Sequence, residues 1–231
     1  MEETEFDKFA QEYSALHARN IRLSGEGPEF FAAYKVADTA AVLAEKGLAE
    51  APRILDLGAG VGTSVVSFRD HFPSAKLTCL DVSQNSLRLG RERYGEFAEF
   101  VHFDGARIPF TDRSFDLVFM ACVLHHIDHA EHIAILAEAR RVLSERGALV
   151  VFEHNPFNPL TVHAVSTCAF DENARLVTAR CLRERCASAG FSAVRHRYRM
   201  FFPGALRRMR PLERFLGWLP LGAQYLVVAD K

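Results

Sequence analysis

The chain has 231 residues, with 28 Lys and Arg against 29 Asp and Glu and a net charge of -1. That length suits one α/β domain with additions and a full core, and the charge balance excludes a general polyanion binder, so no nucleic-acid partner is expected. No apolar run nears the ~20 residues that cross a bilayer. The acidic start, Met1-Glu2-Glu3-Thr4-Glu5, does not read as a signal peptide, and five cysteines without a Cys-x-x-Cys pair fit a reducing cytoplasm.

In chain order, Phe6, Phe9, Ala10, Tyr13 and Leu16 recur at helical spacing and predict a first amphipathic helix. After Ser24-Gly25-Glu26-Gly27, Pro28 opens a second helix that carries Phe30, Phe31, Tyr34 and Val36 and ends near Gly47. An apolar strand follows, Ile54-Leu55-Asp56-Leu57, and runs into Gly58-Ala59-Gly60-Val61-Gly62. Glycines at Gly58 and Gly60 let a ligand lie against the backbone, and Gly62 lets the next helix pack down on the strand. Asp81 closes the second strand about 20 residues beyond the turn, where a carboxylate accepts hydrogen bonds from both ribose hydroxyls. The spacing predicts a nucleoside-cofactor site at the edge of a parallel sheet. A dinucleotide fingerprint would need a third glycine where Thr63 stands, and no Gly-Lys-Ser or Gly-Lys-Thr follows to make a phosphate loop.

Strands and helices then alternate: a helix to about Asp70, a strand from Lys76, a helix from Ser83, and strands near Phe97 to Phe103 and Phe115 to Met120. A helix from about His129 to Leu143 leads to a strand from Ala148 to Glu153. The alternation predicts a doubly wound, parallel sheet that binds ligands at the carboxyl ends of its strands. Asn155-Pro156-Phe157-Asn158-Pro159 reads as irregular, and Thr178 caps a helix that Gly190 stops. Strands over Ala193 to Phe201 and Gln224 to Ala229 flank an intervening segment from Pro203 to Pro220.

Asp-x-Gly-x-Gly at Asp56, Gly58 and Gly60, with Asp81 closing the second strand, resembles the class I S-adenosylmethionine-dependent methyltransferases. Asp104-Gly105, Ser114-Phe115-Asp116-Leu117-Val118-Phe119, and Arg140-Arg141-Val142-Leu143 leading through Gly147 extend the resemblance over roughly residues 50 to 155. It implies a Rossmann-like sheet of seven mostly parallel strands with the last antiparallel, preceded by helices that serve as a lid. It implies S-adenosylmethionine as cofactor, bound through Asp56, Gly58, Ala59, Gly60, Asp81, Val82, Asp104, Gly105 and Ala121, with Asp104 and Gly105 at the adenine. The expected reaction is methylation of a soluble small molecule at oxygen or nitrogen. Alternatives are a lipid-linked glycan or protein acceptor, or a non-catalytic partner subunit.

Methyl transfer from a sulfonium is an in-line displacement, so the protein chiefly aligns the reactants, and a base serves an acceptor that is still protonated. Leu124-His125-His126 follows the fourth strand and resembles a stretch of small-molecule methyltransferases. His126 is therefore the first candidate base or positioning group. His154, after the fifth strand, is the second. Glu153 is read as orienting His154 or His126 or holding a cationic acceptor, and Tyr13, Tyr34, His125 and Asn155 as further acceptor contacts. His125, His126, Asp128, His129 and His132 lack the spacing of a designed metal site, and no metal is expected. The Asn/Asp-Pro-Pro motif of nucleic-acid amino-methyltransferases is absent after the fourth strand. The four arginines of Arg207 to Arg214 read as a surface helix, with anionic membrane contact as the alternative.

Overall fold

A computed structural model describes residues 24–47, 51–168 and 171–231. The predicted helix over Phe6 to Leu16, with Tyr13, lies outside the described residues. The strands are β1 (Arg53–Leu57), β2 (Lys76–Asp81), β3 (Glu99–His102), β4 (Phe115–Ala121), β5 (Leu143–His154), β6 (Ser192–Arg199) and β7 (Gln224–Asp230). They form one seven-stranded sheet in the order β3-β2-β1-β4-β5-β7-β6. Strands β1 to β5 pair in parallel, and β7 runs antiparallel to both β5 and β6. This is the predicted doubly wound topology with its reversed last strand.

Alternation of side chains along each strand builds two cores. Ile54, Leu77, Cys79, Leu117, Phe119, Val150 and Phe152 face one layer of helices: α1 (Pro28–Glu45), α2 (Val65–His71) and α3 (Gln84–Tyr94). Leu55, Leu80, Val118, Met120, Leu149 and Val151 face α4 (His132–Val142) and α6 (Ala179–Ser188). Both faces are covered, which is why the strands read as nearly unbroken apolar runs. Among the described residues no helix is long and apolar enough to cross a membrane.

Three boundaries differ from the sequence reading. The proline-rich stretch after β5 does contain a helix, α5 (Pro159–Ser166): Asn158 accepts the Thr161 N–H at 3.0 Å, and Pro159 sits at the first turn, where a missing N–H costs nothing. Helix α4 starts at His132 rather than His129, because Asp128 accepts the Ala130 N–H at 2.9 Å and holds a turn ahead of it. β5 begins at Leu143, before the predicted Ala148, with a register shift opposite Phe115 and Leu117. The cap at Thr178 forms as predicted, accepting the Cys181 N–H, and Ser83 caps the helix after β2 in the same way through the Ser86 N–H.

The predicted lid helix is part of the domain: Val36 and Leu43 of α1 are buried in the core, while its first turns wall a cavity. The segment from 203 to 220 forms a 3-10 helix, Gly204–Leu212, and a single turn, α7 (Glu213–Leu216). It is tied to the turn before α1 by Arg210 to Glu26 at 2.6 Å and to α1 by the Tyr34 hydroxyl donating to Glu213 at 2.8 Å. Asp38 of α1 pairs with Arg199 of β6. These ties set the height of the cavity roof.

Candidate active site

A cavity of about 350 Å³ opens at the carboxyl ends of β1, β2, β4 and β5, beneath the start of α1. A more open depression lined by Arg53, Lys76 and Ser114 lies at the amino ends of the same strands, where open α/β sheets do not place ligands.

The glycine turn lines the cavity, but its glycines do different work. A Cβ on Gly58 would stand 2.5 Å from a Val123 methyl carbon, so packing against the β4 loop, as well as φ of +80°, demands glycine there. A Cβ on Gly60 would meet nothing within 4 Å, so that position leaves space for a ligand, as the sequence predicts. We expect Gly58→Ala to destabilise the fold by about 1 to 3 kcal/mol. Gly60→Ala meets no clash but carries the strain of φ +54°, so it should cost less stability than Gly58→Ala while weakening cofactor binding, and parallel thermal unfolding and calorimetric titration would separate the two effects.

Asp81 is almost fully buried at the tip of β2. It accepts the Gly60 N–H at 2.8 Å and the Ser83 N–H at 2.9 Å, which fixes the glycine turn to β2. Burial raises its pKa against these hydrogen bonds. Asp56, also buried, lines the same cavity; burial first and the Asp81 charge second push it up to about 7, with Lys35 opposing. Two carboxylates held above their ordinary range on one cavity wall fit a ligand that carries positive charge, as S-adenosylmethionine does on its sulfonium and ammonium. Because the folded pKa of Asp56 exceeds its unfolded value, its stabilising contribution is present below ~4 and is lost as pH rises to about 7. Asp56→Asn should therefore raise the apo-protein's stability near pH 8 by on the order of 1 to 3 kcal/mol, with little gain at pH 4. Thermal melts at the two pH values would show whether the gain is confined to the higher one.

Of the other expected cofactor residues, Ala59 and Ala121 line the cavity. Val82 is buried and packs 3.4 Å from where a Gly105 Cβ would stand. The Asp104 side chain is exposed and accepts the Ala106 and Arg107 N–H groups, each at 2.9 Å. It shapes the turn after β3 and does not line the cavity.

The acceptor end is built around Glu153. Its Oε1 accepts the Val123 and Leu124 N–H groups at 3.0 and 2.7 Å, and its Oε2 meets His125 Nδ1 at 2.7 Å. The carboxylate expected to orient His154 or His126 orients His125 instead. Burial works against both charges of this pair, but their mutual attraction prevails: Glu153 falls to about 2 and His125 rises to about 10. Burial and then the His125 charge push His126 down to about 3, so His126 stays a neutral imidazole. A neutral imidazole on the cavity wall suits the positioning role expected of His126 more than the role of base. His154 lines the cavity, its ring 5.0 Å from that of His125.

Two expected acceptor contacts are spent on the chain itself. Asn155 is buried, donates to the Pro220 and Gly222 carbonyls at 3.2 and 2.7 Å, and accepts the Phe157 N–H at 3.1 Å. It locks the β5–α5 turn to the β7 approach and does not line the cavity. Tyr34 does line the cavity, but its hydroxyl is given to Glu213, and burial first, then Asp38 and Glu213, raises its pKa.

The cavity also contains groups that the sequence did not announce. Lys35 on α1 is buried, with Nζ 3.4 Å from Cys122 Sγ. Cys122 has φ of +61°, and its thiol is lowered to about 7: burial opposes ionisation, but His154 and Lys35 outweigh it. Gln224 reaches the same sulfur with Nε2 at 3.4 Å, while its buried Oε1 has no hydrogen-bond partner among the described residues. A cavity wall with an unmet acceptor fits a ligand that brings an O–H or N–H.

A glycine turn fixed by a strand-end carboxylate, under a sheet of this order, defines the class I S-adenosylmethionine-dependent methyltransferase fold. Residues 54–147 match the family described as "Methyltransferase domain". The chain is 32% identical over 155 residues to a malonyl-[acyl-carrier protein] O-methyltransferase of Geobacter sulfurreducens, covering 63% of this chain and 57% of that one. It is 34% identical over 161 residues to a demethylmenaquinone methyltransferase of Thermobifida fusca, covering 67% and 62%. A ubiquinone/menaquinone biosynthesis C-methyltransferase of Cupriavidus taiwanensis is 33% identical, covering 48% of this chain and 46% of that one. The chain thus spans about half the length of the curated relatives it matches. In fold it resembles an S-adenosylmethionine-dependent methyltransferase of Thermotoga maritima, with a TM-score of 0.69, 19% identity and 99% of each chain covered.

Proposed function

We propose that the protein transfers the methyl group of S-adenosylmethionine to a small acceptor that carries an acidic hydroxyl, phenolic or enolic, on an apolar body. The observation that carries this reading is the division of one cavity: Asp56 and Asp81 on the wall at β1 and β2, and Cys122, His126 and His154 at β4 and β5, with Lys35 reaching Cys122 from α1. Phe30, Phe31, Phe201 and Leu160 supply the apolar surface.

When bound, the cofactor supplies an electrophilic methyl group on a sulfonium. Asp81 would hold its ribose, Asp56 its positively charged end, and Gly60 would give it room. The chain's own part is positioning, which contributes about 7 to 11 kcal/mol in well-oriented reactions. Lys35 favours an ionised oxygen at the acceptor end, His154 is placed to take its proton, and Gln224 Oε1 accepts a neighbouring hydroxyl. An ionised phenol or enol is nucleophilic at oxygen and at the adjoining carbon. This matches relatives named both as O-methyltransferases and as C-methyltransferases.

The rim of the cavity supports a second reading, that the acceptor is met at a lipid surface. Leu206, Met209, Leu212, Phe215, Trp218 and Leu221 are exposed, as are Arg207, Arg208 and Arg214. The only carboxylate from 203 to 223 is the buried Glu213. Apolar groups and cations without opposing acids suit an anionic bilayer. Co-sedimentation with anionic vesicles should be strong at low salt and fall as salt rises, and binding equal to that on neutral vesicles would count against this reading.

A further inference from the structure

His125 and His126 lie on the 3-10 turn after β4, and Asp171 comes from the connection between α5 and α6, 45 positions beyond His126 in the chain. The fold brings the three together at the cavity wall. Asp171 Oδ1 is 3.5 Å from His125 Nε2 and 3.3 Å from His126 Nε2, and each of the three residues offers a ligand atom within 4.8 Å of the other two. Those separations exceed the ~2.7 to 2.9 Å of a charge-assisted N–H···O bond. They match the ~3.3 Å edge of a tetrahedron whose corners stand ~2.0 to 2.1 Å from a central zinc ion.

The surroundings are those of a ligand set. Glu153 Oε2 lies 2.7 Å from His125 Nδ1, with both side chains 1% exposed, so Nδ1 keeps its proton and a cation at Nε2 would take the place of the second one. A carboxylate behind a ligating histidine is the usual means of fixing its tautomer and ring. Glu153 is in turn immobilised by the Val123 and Leu124 N–H groups. The other histidines of this run are engaged elsewhere: His129 Nε2 lies 3.2 Å from the Arg175 carbonyl, and His132 sits between the Ile127 carbonyl and Arg185. His125, His126 and Asp171 all line the cavity, so a fourth position would open onto it, as at catalytic zinc sites.

We propose that His125, His126 and Asp171 bind a divalent transition-metal ion of the zinc type, with its open position facing the acceptor. The metal site stands on this geometry. Its role, to bind an oxygen of the acceptor and favour the ionised form, rests on the function proposed above. The set joins Asp171 to a histidine pair that by spacing alone forms no metal motif.

The test uses the full-length protein, dialysed against chelator and titrated with Co²⁺ and then Zn²⁺, with the visible cobalt spectrum and calorimetry as readouts. Expected are a single saturable site, the ligand-field absorption of tetrahedral cobalt, its displacement by zinc, and affinity at least ~100-fold weaker in Asp171→Asn and His126→Ala. Asp171→Asn keeps size and shape, so it remains informative if the histidine variant fails to fold. No saturable binding, binding undiminished in Asp171→Asn, or binding lost in His129→Ala instead would overturn the site. Cofactor affinity measured on the same samples separates the two claims: intact cofactor binding without metal binding refutes this site alone.

Discussion

Glu153→Ala is expected to destabilise the protein by about 3 to 5 kcal/mol, the scale of breaking a buried ion pair by removing one partner. Glu153 and His125 are each 1% exposed at the side chain, so removing Glu153 leaves His125 Nδ1 buried without its acceptor. The same substitution strips the Val123 and Leu124 N–H groups of their acceptor. Each orphaned buried donor costs about 1 to 3 kcal/mol unless the turn shifts to meet solvent. Such a shift would move His126 and the acceptor wall with it. Glu153→Gln keeps an acceptor oxygen and the side-chain volume, and should fall between the alanine variant and the parent. Urea unfolding measures this directly, and a loss below ~1 kcal/mol would mean that the turn is held by packing alone.

Asp81→Ala should weaken S-adenosylmethionine binding at least ~100-fold. Hydrogen bonds to a charged group contribute about 1.5 to 3 kcal/mol each, and two ribose hydroxyls are at stake. The substitution also removes the acceptor for Gly60 N–H, which holds the turn in the shape that admits the ligand. The effect is expected in binding more than in folding, because Asp81 is a buried carboxylate whose charge burial disfavours. Calorimetric titration of the variant decides the matter: affinity within ~3-fold of the parent would remove Asp81 from the ribose.

What was legible in the sequence was what neighbouring residues determine. An apolar strand, a glycine turn and an acid at the next strand end lie within 30 residues, and each follows from backbone preference or strand period, so the parallel sheet and its cofactor wall follow from them, while the reversed last strand rests on the family resemblance. Two local signals point further than the sequence analysis took them. Asn158-Pro159 is an N-cap followed by a first-turn proline, yet the prolines were taken to exclude a helix. Lys35 lies on the stripe Ala32, Lys35, Val36, Thr39 and Leu43, whose helical spacing marks it as buried.

Other features had no local signal. Asp171 and Gln224 reach the cavity from segments whose placement depends on how α5, α6 and β7 pack. For Glu153 the sequence suggests His154 or His126, whereas the fold gives it His125, whose Nδ1 the turn after β4 brings to 2.7 Å. Asn155 looked available because a polar residue at a strand end often faces ligand, but the carbonyls of Pro220 and Gly222 reach it first.

The most direct test of the proposed activity is incubation of the protein with methyl-labelled S-adenosylmethionine and a panel of phenolic, enolic, amine and carboxylic acceptors, soluble and lipid-borne, with the products separated by class. Label in a hydroxyl-bearing apolar acceptor, lost in Asp81→Ala, is the predicted result. Label confined to amines, or none in any acceptor although the cofactor binds, would contradict it.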